Sequence, residues 1–487
     1  MNGPGKSDRL IVPEKVPNKA DLAAEAVEGS GLTKGNADQQ NTCRTLSRGN
    51  VPSALERIRQ IAKRDKKRRF TCLFHHIYAV GNLRDAFYAL KRDASAGVDG
   101  ETWSHYAETL EENLQNLSQR LKRAGYRAKP VRRVFIPKAD GKQRPLGVTT
   151  LEDKLVQRAT VTVLNAIYEQ DFAGFSYGFR PGRSQHQALN ALTAGLQAKV
   201  SWVLDADIRG FFDAINHEWL IRFVEHRIGD QRVVRLIQKW LAAGVLENGE
   251  WRRSEMGTPQ GGCISPVLAN LYMHYVFDLW VQGWRKQIAE GQVIVVRYAD
   301  DFIIGFQKGT DAERLLRQLK VRLAKFQLEL HPEKTRVLEF GRFAAESRKK
   351  RGQSKPETFN FLGFTHICGK TRGGKFAVWR KTERKRATAK LKALREELRR
   401  RMHEPIPIVG KWLGRVLRGH YQYYGVAFNS RAIGNFRYQV TRAWHSVLRR
   451  RSQRGYVNWT RMRRLEKRWL PPARIVHTLS QQPFERH

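Results

Sequence analysis

Acidic residues are scarce in this chain of 487 residues: 46 Asp and Glu stand against 89 Lys and Arg, a formal net charge of +43. An enzyme for small anionic metabolites needs a few cations, not an excess of this size. The expected partner is a polyanion, either nucleic acid or an anionic membrane. Long apolar runs are missing as well. No stretch of about 18 apolar residues is available to span a bilayer, and the opening MNGPGKSDRL lacks the apolar segment of a secretory signal. With no membrane expected, the polyanion is DNA or RNA. Cysteine is sparse: the four stand at 43, 72, 263 and 368, and no two are spaced as CxxC. That argues against a zinc ribbon, a zinc finger or a cysteine-based nuclease module. So few thiols form no disulfide framework, and a reducing cytoplasmic compartment is expected, in a bacterium the cytosol or nucleoid. What is plentiful is core material: 41% hydrophobic and 10% aromatic residues exclude a disordered chain. The length suggests two to four structural units.

The pattern along the chain divides it at 1–50, 51–130, 131–375, 376–450 and 451–487. Residues 1–50 are polar, with seven basic and six acidic side chains, and read as a flexible leader. Helical spacing runs from Pro52 to Arg69, over Leu73–Leu90 and over Trp103–Ala124. Val131–Pro137 and Arg144–Val148 read as strands around a turn at Ala139–Lys142, followed by a helix over Leu151–Tyr168. Val203–Asp207 is a short apolar strand ending in acid. Val293–Val296 and Phe302–Phe306 are strands with a tight turn between them, and Ala312–Phe326 is helical. Phe359–Thr365 and Phe376–Trp379 make a second small sheet element. Beyond residue 379 the chain turns helical and strongly basic. Residues 380–487 hold 28 basic and six acidic side chains, about half the total charge excess.

Two stretches carry candidate chemistry. Val293–Phe306 places Tyr298-Ala-Asp-Asp301 between two apolar strands, and Trp202–Asp213 delivers Asp207 at the end of an apolar strand. Neighbouring side chains within a strand point to opposite faces, so Asp300 and Asp301 can share a site only at a hairpin tip. If the two strands lie side by side, Asp207, Asp300 and Asp301 converge. Carboxylates are hard ligands suited to Mg²⁺, which also binds substrate phosphates. Two ions about 3.5–4 Å apart activate a hydroxyl nucleophile and stabilise a leaving pyrophosphate. An Asp-Asp pair in a turn is also ordinary surface chemistry. The joint occurrence of both stretches is what argues for a site.

The motifs Phe135-Ile-Pro-Lys-Ala-Asp-Gly-Lys-Gln-Arg-Pro-Leu-Gly147, Ser176-Tyr-Gly-Phe-Arg-Pro-Gly-Arg183, Gly257-Thr-Pro-Gln-Gly-Gly262, Tyr298-Ala-Asp-Asp301 and Phe361-Leu-Gly-Phe364 stand in this order. As a set they resemble the group II intron-encoded reverse transcriptases and maturases, over roughly residues 55–475. The resemblance implies an α/β (α+β) right-hand polymerase. Residues 51–130 become a helical amino-terminal extension, 131–375 fingers and palm with antiparallel sheet, 376–450 an all-α thumb (domain X) and 451–487 a short basic DNA-binding tail. It implies RNA-directed DNA synthesis with two Mg²⁺ ions, Mn²⁺ being a possible substitute. They would be held by Asp207, the Ile208 carbonyl, Asp300 and Asp301, with Lys334 protonating pyrophosphate.

Lys138, Arg144, Phe212 and Gln260 would contact the deoxynucleotide, Phe212 as a gate against a 2′-hydroxyl while Phe211 faces the core. Lys138 and Arg144 would otherwise touch template phosphates, either phenylalanine could be plain core, and Lys334 a surface lysine. Arg180, Arg183, Tyr298, Leu362 and Gly363 would hold primer and template; an internal ion pair is the alternative for either arginine. Tyr421, Tyr423 and Tyr424 would stack on RNA bases, with a helix–helix core as the alternative for at least one. The implied partners are group II intron RNA, an RNA template with its DNA primer, target DNA and dNTPs. The implied tasks are splicing assistance and target-primed mobility. The family's frequent nuclease domain, with its cysteine pairs, is not recognisable, which points to priming from existing nicks or replication-fork strands. A host-adopted reverse transcriptase for repair or phage defence, and an RNA-binding splicing factor without polymerase activity, remain open at this level.

Overall fold

The computed structural model describes residues 51–477 apart from 138–142, 248–249, 253–255, 259–260 and 452–456. The leader 1–50, the turn Ala139–Lys142, Lys138 and Gln260 therefore lie outside the described residues. Among those described, the strands in chain order are β1 (Val131–Pro137), β2 (Gln143–Val148), β3 (Trp202–Ala206), β4 (Val245–Glu247), β5 (Glu250–Arg252), β6 (Val293–Tyr298), β7 (Asp301–Phe306), β8 (Arg336–Glu339), β9 (Phe359–Phe361), β10 (Phe364–Lys370) and β11 (Phe376–Thr382). They form three sheets, ordered β2-β1-β4-β5, β6-β7-β3-β8 and β11-β10-β9.

The middle sheet is antiparallel throughout and is covered on both faces, which is why its strands read as near-continuous apolar runs. Leu204, Ala206, Val295, Phe302 and Ile304 face a large core shared with the amino-terminal helices and the helix Leu151–Tyr168. The alternate residues Val203, Val296, Ile303 and Leu338 face a second core with the helix Gln185–Gln197 and the small sheet. That helix begins with a capping box between Ser184 and Gln187.

Two expected helices are each broken in two. Leu73–Leu90 becomes Phe74–Tyr78 and Val80–Tyr88, separated by Ala79 with ψ of 122°. Trp103–Ala124 becomes Trp103–Glu108 and Leu110–Lys122, separated at Thr109. At each break a helical carbonyl is satisfied by an asparagine from the next segment: Asn82 donates to His76 O (3.0 Å), and Asn113 donates to Tyr106 O (3.1 Å). Periodicity continues across such a break, so the apolar pattern does not reveal it.

Residues 384–469 fold into helices Arg384–Arg400, Ile406–Tyr424, Ser430–Arg449 and Trp459–Trp469. Their core holds Leu394, Leu398, Leu413, Leu417, Val440, Trp444 and Met462. The strand β11 lies beyond the division at 375–376, yet it pairs along its whole length with β10. The helical region is thus entered through a strand shared with the sheet, and Thr382 is tied to Asn429 by two hydrogen bonds.

Candidate functional site: a carboxylate row at the end of the central sheet

Register brings the acids together. Ala206 faces Phe302 and Asp205 faces Ile303 across β3 and β7, so the next step along both strands sets Asp207 opposite Asp301. Tyr298 faces Asp301 across β6 and β7. Arg336 faces Asp205 across β3 and β8, which brings Lys334 to the level of Asp207. Lys334, Asp207, Asp301 and Tyr298 therefore form one row across four strands. Opposed residues share a face, and so do residues two apart in a strand, so Asp205 lies on that face as well. Asp300 stands in the turn beside the row. The turn has two residues, and Ala299 takes φ of 58°, the positive value a tight hairpin requires at its first position.

The turn is held from beneath. Arg297 and Tyr298 point to opposite faces, and Arg297 is fully buried under the sheet. Its guanidinium donates to both carboxylate oxygens of the buried Asp278 (2.7 and 2.5 Å), to Asn270 Oδ1 (3.1 Å) and to the Ala299 carbonyl (2.8 Å). Asp278 ends the π-helical turn His274–Asp278 set between the helices Ser265–Met273 and Leu279–Gln287. Such wide turns alter which side chains share a face. The segment before Arg180 leans on the same hairpin. A Cβ on Gly178 would lie 2.3 Å from the Ala299 nitrogen, so only glycine allows this approach. Asn270 donates to Gly178 O (2.7 Å), and Tyr177 N donates to Arg297 O (2.8 Å).

The electrostatics are those of crowded carboxylates. Desolvation pushes the Asp301 carboxyl up to about 7, and the charges of Asp300 and Asp207 add to the shift. Burial raises Asp205 to about 6, opposed by Arg336 at 3.7 Å and reinforced by Asp207. Asp300 is also raised, by burial first and by Asp207, while the charge of Arg144 pulls it down. Each shift means first that folding takes a carboxylate out of water and second that it sets another negative charge nearby, a condition a cation relieves.

The oxygen-only donor set fits a hard divalent ion. As the side chains stand, no group of three such ligands among the described residues closes on one point. Asp207 instead accepts from Lys334 Nζ at 2.5 Å. The expected convergence is therefore one of backbone position, with the Asp207 carboxylate taken up by the lysine. The Ile208 carbonyl remains available as a donor. The bridge between Ile208 and Leu330 uses Asp207 O and Arg209 N, which turns the Ile208 carbonyl the other way.

Beside the row lies a cleft of about 410 Å³ whose lining includes Asp207, Asp301, Lys334, Leu362, Gly363 and Arg386. Leu362 and Gly363 form a two-residue turn with φ of 48° and 76°, both positive as a type I′ turn demands. Tyr423 donates to Leu362 O (2.9 Å), and Glu383 N donates to Gly363 O (3.0 Å), so the carboxy-terminal helices hold this turn against the cleft. Phe211 is buried and Phe212 is partly exposed next to it.

Several expected contacts are spent inside the protein. Arg180 is 7% exposed, grips Glu169 and donates to the carbonyls of Ala173 and Ser176 (both 2.8 Å), so it is a structural ion-pair residue and not a template contact. Arg183 donates to Gly174 O and packs over the Tyr177 ring, though it keeps partial exposure. Tyr421 is buried and bonded to Pro471 O; Tyr423 and Tyr424 pack against Phe364, with the hydroxyl of Tyr423 taken up by Leu362. Tyr421 thus takes the packing alternative, while Tyr423 and Tyr424 pack on one side and keep partial exposure. Asp205, Arg297, Asp278 and Asn270 went unnoticed in the sequence. Asp205 was findable, being two residues before Asp207 in a strand. Asp278 carried no signal, since its role depends on an irregular turn.

Fold and site define a class: a right-hand polymerase palm with its acids at one end of an antiparallel sheet. Residues 136–366 match the family model described as reverse transcriptase (RNA-dependent DNA polymerase). Relatives include the group II intron-encoded protein LtrA of Lactococcus lactis subsp. cremoris, 38% identical over 224 residues, which are 45% of this chain and 37% of that protein. Protein YkfC of Escherichia coli K12 is 36% identical over 246 residues, 45% of this chain and 64% of that protein. An uncharacterized 91 kDa protein in the cob intron of Schizosaccharomyces pombe is 30% identical over 307 residues, covering 61% and 38%. The match thus spans less than two thirds of each of these relatives. No described helix is long and apolar enough to cross a membrane.

Proposed function

We propose that this chain is an RNA-directed DNA polymerase that also binds a group II intron RNA, assists its splicing and copies it at a DNA target. The observation that carries the proposal is the row Lys334–Asp207–Asp301–Tyr298, with Asp300 at its edge and an open cleft beside it. Asp207, Asp300, Asp301 and the Ile208 carbonyl would hold divalent ions, two Mg²⁺ in this reading with Mn²⁺ as a substitute. Such ions lower the barrier to attack of a primer 3′-hydroxyl on the α-phosphate of a dNTP and offset the charge on leaving pyrophosphate. Lys334 must then exchange its hold on Asp207 for the pyrophosphate, to which a lysine at this level can donate a proton. Arg144, exposed on β2 and already felt by Asp300, would grip the triphosphate, and Lys138 would do so with it. Phe212 would exclude the 2′-hydroxyl, and Gln260 would contact the nucleotide. The turn Leu362–Gly363, backed by the helical region, would bear on the primer strand.

Intron RNA fits the basic helices. A groove of about 550 Å³ between Arg384–Arg400 and Ser430–Arg449 is lined by Arg395, Arg399, Arg442 and Arg450, with no carboxylate in its lining. Phosphates are the natural counter-charge. The decisive measurement is primer extension on an RNA template. Wild type should extend, and Asp300→Ala should lose synthesis by on the order of 10³-fold while still binding RNA. Undiminished extension by purified Asp300→Ala would overturn the site. The intron reading is checked by splicing of the flanking RNA at moderate Mg²⁺, which should be faster with the protein present.

A further inference from the structure

Phe179 has no role in the reading above, and its setting calls for one. It is a large apolar residue, 50% exposed, with φ of 57°. A non-glycine residue in the left-handed region is strained, and a phenylalanine gains nothing from it through local hydrogen bonding as asparagine or aspartate would. The strain cannot relax, because the chain on both sides is fixed. Gly178 is buried against Ala299, and Arg180 is buried on Glu169, Ala173 and Ser176. A half-exposed aromatic ring is thereby pinned outward, its centroid 6.4 Å from that of Tyr298, the last member of the carboxylate row. The core had no use for the side chain, and the fold pays to keep it out.

Resting on the polymerase reading, we propose that Phe179 is a nucleic-acid contact. Its ring packs on the sugar face of the primer–template duplex, within about two nucleotides of the primer 3′ end. The reacting 3′-hydroxyl must come within reach of the ions that Asp207, Asp300 and Asp301 would hold. Tyr298 shares their row, so whatever covers Tyr298 and Phe179 belongs to the nucleotides next to the reacting one. An RNA–DNA duplex is A-like and offers a wide, shallow minor groove lined with sugars, to which a flat apolar ring is complementary. Paired bases are already stacked on each other, so the contact is to sugar carbons and base edges and needs an apolar surface, not a stacking partner.

The test uses the full-length protein, a fluorescently labelled DNA primer annealed to RNA, and three variants. Phe179→Gly removes the ring and the strain together. It should melt no lower than wild type yet bind the duplex about tenfold more weakly, with KM for primer–template rising and kcat little changed. Phe179→Ala should weaken binding equally but keep the strain, and Phe179→Leu should retain most of the affinity. Wild-type affinity in the glycine and alanine variants would overturn the proposal. So would a glycine variant that loses stability and affinity together, which is the mark of a packing residue. If wild type itself neither binds nor extends the primer, the polymerase reading fails and takes this contact with it; if wild type extends and the variants match it, only the contact fails.

Discussion

The end of the central sheet and the carboxy-terminal helices handle charge in opposite ways. Around the hairpin, cations are consumed: Arg297 by Asp278 and the Ala299 carbonyl, Arg180 by Glu169, and the exposed Lys334 by Asp207. What that region presents to the cleft is surplus negative charge. In residues 384–469 the acids are the consumed partners, Glu397 and Glu404 by Arg401 and Glu466 by Arg437, and exposed arginines and lysines are left over. One region is a small anionic spot on a base tied together by the buried Arg297. The other is a broad cationic surface over an ordinary helical core. Duplex nucleic acid held by the second can meet metal ions held by the first without either field cancelling the other, since charges further apart than about 8–10 Å are largely screened at physiological salt.

If the buried pair is the base of the anionic spot, breaking it should have the largest effect on stability. Arg297→Met takes from the buried Asp278 its ion-pair partner, a loss of about 3–5 kcal/mol. Adding Asp278→Leu should restore much of that stability, because an apolar pair can replace a buried ion pair. DNA synthesis should nonetheless stay low in the double variant, since the Ala299 carbonyl is left without its donor and the hairpin without its fixed height. Thermal melting and primer extension on the same preparations check both parts. Full activity in the double variant would mean that the pair only fills the core.

These contrasts also mark what could be read from residues alone. The apolar runs defined β3, β6 and β7, and the joint occurrence of acids at the ends of both stretches argued for a site, since either alone is ordinary turn chemistry. The helix Leu151–Tyr168 was legible from end to end: its apolar pattern is unbroken, and Thr150 caps it. Legibility stopped where tertiary contacts decide. Ala79 and Thr109 interrupt helices whose spacing does not change. Arg180 looks like any exposed arginine beside Pro-Gly until Glu169 is seen against it. The Gly-His-Tyr-Gln-Tyr-Tyr-Gly motif ending at Gly425 has the composition of a stacking surface, yet its rings are what joins the helices to the turn Leu362–Gly363. Aromatic residues serve cores and nucleic acids by the same physics, and only burial separates the two.

The cationic half of the comparison is tested by salt. Replacing Arg395, Arg399, Arg442 and Arg450 by Gln should leave folding intact, since all four are exposed. RNA affinity should fall, and the slope of log affinity against log salt should shrink by about 0.7–0.9 for each phosphate no longer neutralised. The same variant should keep its maximal rate at saturating primer–template, because the anionic spot is untouched. An unchanged slope would move the RNA surface elsewhere, with the exposed basic side of Trp459–Trp469 the next place to look.

The smallest effect concerns protons, and here the two regions should respond with opposite sign. In the metal-free protein the folded Asp301 carboxyl titrates near 7, above its usual value of 3.8. Its share of stability is therefore present at low pH and lost as pH rises through about 7. In the helical region His420 is buried, stacked on Phe436 at 3.8 Å, and neither ring nitrogen has a hydrogen-bond partner. Burial, with the charge of Lys390 adding to it, holds this imidazole down at about 3. A histidine kept neutral in the fold but free to protonate when unfolded costs stability as pH drops below its ordinary 6.5. Asp301→Asn should thus raise the metal-free melting temperature more at pH 8 than at pH 5. His420→Leu should raise it more at pH 5 than at pH 8. Added Mg²⁺ should abolish the first difference and leave the second, because only the carboxylate row has a use for the ion. Equal responses to Mg²⁺ in the two variants would dissolve the contrast between the regions.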